Sequence, residues 1–347
     1  MRPILPMAML CAWVCGTFST GYAQSPSNAQ HDTVTHLLRL YEDNDFINIW
    51  GEGTDDAYTN GTRIDYFYRP RKHPHGVDRW MPAAGDSAID IDGWGVMQIM
   101  YTPDDITLRD YQPNDYPWSG ELIAMHSRYS YNPVKHYDLQ TELVLGVIGP
   151  AAMNRQMQSM VHHLINYFQP AGWDHQYRND LLANVNLTAE KELVSVGSVV
   201  TVIGGAQVYA GTMQNGAAIY PLILIRKNQP YFNGFLGQYT SPSAGRKKQW
   251  QGYLLFRPEM QYFLTNAVLQ GGLFTTNPNL QPSRQPDSKS ITPQPYHPLQ
   301  PWVGSFAFGA VLTHGRTGIS FTQTATAATL KGLYCHTVGN ISVYFGW

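Results

Sequence analysis

Charge is scarce in this chain. Asp, Glu, Lys and Arg make up 14% of 347 residues and leave a formal charge of −2. That near-neutral balance excludes the basic surface of a nucleic-acid binder. Cysteine is scarcer still: Cys11 and Cys15 fall near the start and Cys335 stands alone, so no intramolecular disulfide is expected beyond the first residues. After residue 23 no apolar run approaches the ~20 residues that a membrane-spanning helix requires. No internal repeat is evident.

The first 23 residues read as a secretory signal: Arg2, an apolar core from Met7 to Phe18, and Gly21-Tyr22-Ala23 before Gln24. The remainder, 24–347, has room for two soluble domains or one closed barrel. Aromatic residues reach 13%, with 22 tyrosines and 9 tryptophans. Low charge and many amphipathic rings suit strands whose outer face meets lipid between aromatic girdles. In the last segment Ile341, Val343, Phe345 and Trp347 share one face at period two. An exported chain that ends in such a strand, with an aromatic last residue, fits an outer-membrane barrel.

Strand-like runs recur near 34–42, 59–68, 94–101, 121–131, 137–147, 180–193, 197–211, 213–226, 251–263, 303–313, 316–326 and 336–347. The expected fold is all-β, a twelve-stranded antiparallel transmembrane barrel, with fourteen strands as the alternative if residues 266–274 add another. A periplasmic N-terminus makes the loops at 43–58, 102–120 and 148–179 extracellular, in keeping with long outer loops and short periplasmic turns. Residues 276–301, rich in Pro, Asn, Gln and Ser, read as a long loop, as do residues 240–250 with the basic tip Arg246-Lys247-Lys248.

The third outer loop holds the one strong helical pattern, near 150–168. Pro150 suits a first helical turn. Met153, Met157, Met160, Val161, Leu164 and Phe168 form an apolar stripe, and Gln158 and His162 lie one turn apart away from its centre. His163 and His175 lack the spacing of a two-histidine zinc helix. The end of the first strand (Asn44, Asp45), the start of the second (Thr59) and this helix then meet at one rim. A carboxylate, an amide, a hydroxyl and an imidazole gathered there suggest a hydrolase rather than a pore.

Asn44-Asp45, Tyr58-Thr59-Asn60-Gly61, Tyr101-Thr102-Pro103 and Gly146-Val147-Ile148-Gly149-Pro150 followed by His162 resemble the lipid A deacylase family of Gram-negative outer membranes, the calcium-dependent lipid A 3′-O-deacylases. The ordered motifs span roughly residues 34–226. The resemblance implies a twelve-stranded barrel with the active site between its wall and a helix of an outer loop. It also implies removal of the 3′-linked acyloxyacyl group from lipid A, with His162 as catalytic histidine, Asn44 and Asp45 as the essential pair and Thr59 as the hydroxyl residue. One departure stands out: many relatives carry an arginine where this chain reads Asp115-Tyr116-Pro117-Trp118-Ser119-Gly120. If that arginine helps hold a lipid A phosphate, its absence leaves substrate choice open here; Arg109 in the same loop is a candidate substitute.

The chemistry expected follows. A neutral imidazole can take a proton near neutral pH, which makes His162 the general base on a water. No Gly-x-Ser-x-Gly elbow supports an acyl-enzyme. Asp45, with Asn44, is the expected calcium ligand, the ion stabilising the oxyanion. Thr59 could ligate the ion or orient substrate, and Gln158 could hold a water or the ester. Asp55-Asp56 and Asp104-Asp105 are possible additions to the ion site, read more simply as loop acids. The expected partners are lipopolysaccharide as substrate and outer-membrane lipids around a monomer. An outer-membrane phospholipase and a non-enzymatic porin or surface-binding barrel are the alternatives.

Overall fold

The computed structural model describes residues 34–49, 57–70, 74, 76–226, 231–241, 250–275 and 297–347. The expected signal at 1–23, Asp55-Asp56, the tip Arg246–Lys248 and most of the 276–301 loop lie outside them. Twelve strands form one closed antiparallel barrel in which each pairs with its sequence neighbour and β1 closes on β12. They are β1 (His36–Asn44), β2 (Ala57–Tyr68), β3 (Ile89–Thr102), β4 (Ser119–Asn132), β5 (Tyr137–Ile148), β6 (Asp180–Val196), β7 (Val200–Gly211), β8 (Gln214–Arg226), β9 (Trp250–Asn266), β10 (Trp302–His314), β11 (Thr317–Thr326) and β12 (His336–Gly346). The strand count and order agree with the alternation in the sequence. Residues 266–274 do not add a strand. Asn266 ends β9 and caps a helical turn, Ala267–Gln270, its Oδ1 accepting from Val268 N at 3.1 Å.

The closing seam between β1 and β12 runs from the terminus rim to the loop rim. Leu37 pairs with Gly346 and Asn44 with Gly339. Trp347 continues the seam, its N–H donating to His36 O at 3.0 Å and its ring stacking on His36 at 5.6 Å and on Tyr66 at 6.0 Å. Such rings at a rim suit a bilayer's interfacial layer. The middle of the wall carries exposed Leu40, Ile64, Val96, Leu145, Leu254 and Ile319, which in water would be costly and in hydrocarbon is not.

The opposite face of the strands lines the lumen with a mixture of charged, aromatic and aliphatic side chains. Asp65 lies between two guanidinium groups, at 2.7 Å from Arg39 and 2.8 Å from Arg63, and Arg63 reaches Glu142 at 2.9 Å. Removing one partner of such a network strands a desolvated charge and costs on the order of 3–5 kcal/mol.

Three connections at the terminus rim are short: 133–136, 197–199 and 315–316. Two are long, 69–88 and 227–249, contrary to the expectation of short turns on that side. The physical reason for the second is burial. Its helical turn α2 (Phe235–Gln238) enters the lumen, where Phe235 packs on Phe67 at 4.6 Å and on Tyr129 at 5.0 Å, and Tyr239 stacks on Tyr344 at 4.0 Å. At the loop rim a second cluster joins Tyr101, Tyr116, Val268, Leu269 and Leu330. The Tyr116 hydroxyl donates to Tyr334 O at 2.9 Å. Apolar packing thus stands across the lumen near both ends.

In planar bilayers the barrel is expected to show no open-pore current, and removal of residues 231–239 to raise its conductance. Large, steady conductance steps from the unaltered chain would contradict the packing described.

Candidate active site

The expected site residues lie at the loop rim of the outer wall in two groups, one at the ends of β1 and β2 and one on a helix packed against β3 and β4. Asn44, Asn60, Met100 and Gly120 are successive partners across these four strands. Strand parity puts them on the face opposite Asp43, Tyr58 and Tyr101, which line a lumen cavity of about 350 Å³.

Asn44 ends β1 and caps a short 3-10 turn, Asp45–Ile47; its Oδ1 accepts from Phe46 N at 2.8 Å. Asp45, the first residue of that turn, is buried. The chain then folds back over the outside of β11 and β12. Ile49 N donates to Gln323 Oε1 at 2.9 Å, and Asn48 donates to the Thr337 hydroxyl. Glu42, on Asn44's side of the strand, accepts from the Thr62 hydroxyl at 2.7 Å and from the Asn60 amide.

Thr59 is the extra residue of a bulge: Tyr58 pairs with Tyr101 and Asn60 with Met100, so Thr59 has no opposite number. A bulge breaks alternation locally and re-aims a side chain. Here it buries the Thr59 hydroxyl against that of Thr102, at 2.7 Å.

The segment after β5 climbs the outer wall on the other side. Gln98, outward on β3, donates to Ala152 O at 2.6 Å. Met153, in the left-handed region at φ 60°, turns the chain into helix α1 (Asn154–Leu164). Asn154 donates to Ile99 O at 2.5 Å and lies over Gly120, where a Cβ would come within 1.4 Å of its Nδ2. The glycine is therefore what lets the helix sit on the strand.

Helix α1 is inside out for a protein in water. Asn154, Gln158 and His162, four residues apart, are 1%, 4% and 5% exposed, whereas Met153, Met157, Met160 and Leu164 are 41–72% exposed. The apolar stripe faces away from the wall and the polar stripe is buried. Gln158 Oε1 accepts from Trp173 Nε1 at 2.7 Å, which orients its amide. Trp173 packs in turn with Met100, Ile106 and Trp118. His162 Nδ1 lies 2.6 Å from Phe168 O, and its ring meets Tyr167 edge-on at 5.2 Å. A carbonyl only accepts, so Nδ1 carries the proton in this bond and a neutral ring keeps its lone pair at Nε2.

Two groups of expected residues are thus placed: Asn44, Asp45 and Thr59 at the ends of β1 and β2, and Gln158 and His162 on the helix. The oxygens of Asp45, Asn44 and Thr59 are hard donors of the kind that suit calcium. Among the described residues no group of three or more His, Cys, Asp or Glu gathers as a metal cluster. An ion here would draw on amide, hydroxyl and carbonyl oxygens as well as a carboxylate. Asp105 is exposed, and the Thr107 hydroxyl and N–H, at 2.6 and 2.9 Å, hold its carboxyl below the usual range. Arg109 contributes a backbone oxygen, to His175 Nε2 at 3.0 Å. Asn154, Trp173 and the Phe168 carbonyl were not anticipated. Stepping back four residues from Gln158 would have found Asn154; the other two are set by loop geometry.

A closed twelve-stranded barrel with lipid-type walls, carrying a polar site under an external helix, defines the class as an outer-membrane barrel. The profile of the family described as "Outer membrane protein LpxR" matches residues 9–347, and the chain belongs to that family. It is similar in structure to LpxR from Salmonella typhimurium, with a TM-score of 0.68 and 16% identity over 90% of this chain and 100% of that one. The β domain of the Bordetella autotransporter BrkA gives a TM-score of 0.41 and 8% identity over 91% of this chain and 100% of that one. No curated protein sequence matches the chain.

Gly120→Ala is expected to displace Asn154 and loosen α1 while leaving the barrel closed. Limited proteolysis should cut residues 150–175 faster, with heat-modifiable gel mobility unchanged. Equal protection of the loop in both proteins would show that the helix does not depend on that footing.

Proposed function

We propose that the chain is an outer-membrane esterase that hydrolyses the 3′-linked acyloxyacyl ester of lipid A at the outer rim of the barrel wall. The observation that carries this reading is His162. It is buried on the wall side of a helix whose other side is apolar and exposed, with Nδ1 tied to the Phe168 carbonyl at 2.6 Å. An amphiphile in the membrane meets the methionine stripe first and the polar stripe beneath it.

In the reaction, His162 Nε2 takes a proton from water as the water oxygen attacks the ester carbonyl. The imidazolium is stabilised by its Nδ1–H bond to Phe168 O. When the tetrahedral intermediate collapses, the same nitrogen returns the proton to the departing sugar oxygen. Gln158, its Oε1 engaged by Trp173, is oriented so that its NH₂ end is the donor toward the developing oxyanion. Losing one such donor typically costs roughly 3–4 kcal/mol of barrier. Calcium, held by Asp45 with Asn44 beside it, would supply the Lewis acid for the carbonyl. Thr59 and Thr102 set the hydroxyl edge of that end of the site. A water nucleophile needs no activated serine, consistent with the absence of a nucleophile elbow. Packing across the lumen favours this reading over a pore.

Lipid A from cells expressing the chain is expected to lose one acyloxyacyl unit by mass spectrometry, and the His162→Ala variant to lower the rate by roughly 10²–10⁴-fold. Release of a simple fatty acid from phospholipid instead, with lipid A intact, would move the reading to a phospholipase. Unchanged lipids in both proteins, with the barrel folded, would refute an esterase.

Chelation of divalent ions should abolish activity, and added calcium should restore it; full activity in chelator would remove the metal from the mechanism. Asp45→Asn should mimic chelation without altering gel mobility.

A further inference from the structure

The lipid-facing wall is interrupted on the side away from the site. β8 pairs with β9 as far as Ile219 opposite Met260 and resumes at Ile223 opposite Phe256. In that shared register Pro221 faces Pro258. Neither has a backbone N–H to give, so neither strand can donate to the other at that level. Both prolines keep their places toward their other neighbours, Pro221 opposite Gly204 of β7 and Pro258 opposite Phe306 of β10. The interruption is confined to one seam.

A cavity of about 930 Å³ lies over this stretch of wall. Small residues line its floor, Ala189, Gly204 and Ala206; Leu139, Ile219 and Met260 flank it. It crosses from β5 to β9, four interstrand steps of ~4.8 Å, or ~19 Å, comparable to an extended long acyl chain. The acids in its lining belong to the lumen. Glu190 accepts from the hydroxyls of Tyr220 and Tyr231, both at 2.7 Å, and Glu259 pairs with Arg257. Toward the terminus rim the groove meets exposed Lys191, whose ammonium donates to the backbone oxygen of exposed Lys135 in the turn between β4 and β5.

An apolar trough with a lysine at its interfacial end is complementary to one kind of molecule. We propose that this groove binds an anionic glycerophospholipid, one acyl chain lying over the Pro221–Pro258 seam and the phosphate beside Lys191. Such a lipid belongs to the leaflet on the terminus side, away from the proposed ester site. The two sites are independent, and failure of either leaves the other standing.

The test is native mass spectrometry of the full chain released from detergent after titration with dipalmitoyl phosphatidylglycerol or dipalmitoyl phosphatidylcholine. Wild type is expected to retain one phosphatidylglycerol. Ala206→Trp, which fills the trough from the outer face, should lose it. Lys191→Gln should bind phosphatidylglycerol about fivefold more weakly, the effect of one interfacial charge, with phosphatidylcholine binding unchanged. Leu145→Trp, on the exposed wall of β5 well above the groove, should bind as wild type; heat-modifiable mobility checks that each variant is folded. Equal retention by Ala206→Trp and wild type would overturn the proposal, as would equal loss in Leu145→Trp. A dimer that Ala206→Trp dissociates, with lipid retention unaltered, would make the groove a contact between copies and overturn it too.

Discussion

Inside a bilayer a backbone amide has no water to bond with, and everything in this molecule is arranged around that fact. Closure of β1 on β12 removes the two sheet edges that would otherwise leave a row of unpaired groups in hydrocarbon. Once the wall is closed, chemistry that needs irregular backbone has to sit at a rim. The turn after Asn44 and the segment before α1 both do so, and both return their polar groups to the wall through Gln323, Thr337, Gln98 and Ile99.

The same constraint explains the inverted helix. A helix docked on the outside of a barrel has hydrocarbon on its far side, so its methionines face away and its amides and imidazole face the protein. In water this polarity would be a packing error; against hydrocarbon it is the arrangement that keeps Asn154, Gln158 and His162 off the apolar side. The lumen, by contrast, is where charge is spent on structure. Arg39, Asp65, Arg63 and Glu142 neutralise one another, and aromatic rings from α2 and from the outer loops close over them.

Much of this was legible beforehand, for identifiable reasons. Alternation of apolar and polar residues marks strands wherever one face meets lipid, and all twelve were found to within a few residues at most ends. The pairing of Gln158 with His162 on one helical stripe also followed from spacing. The stripe's direction did not, because spacing says which residues share a face and not which face meets the protein. The luminal plug was missed since Phe232, Phe235 and Leu236 show no period that distinguishes a buried turn from a loop. Pro221 and Pro258 were visible as single residues inside strands, but their opposition depends on register across the β8–β9 pair.

The bulge at Thr59 separates the fate of the site from the fate of the scaffold. Tyr58 and Asn60 keep their partners Tyr101 and Met100 on either side of it, so the inserted residue shifts no other side chain to the wrong face. A lineage could acquire, exchange or discard that hydroxyl while every strand stayed in register. The closed wall therefore does not depend on which side chain the bulge presents, and its shape alone says nothing about that position.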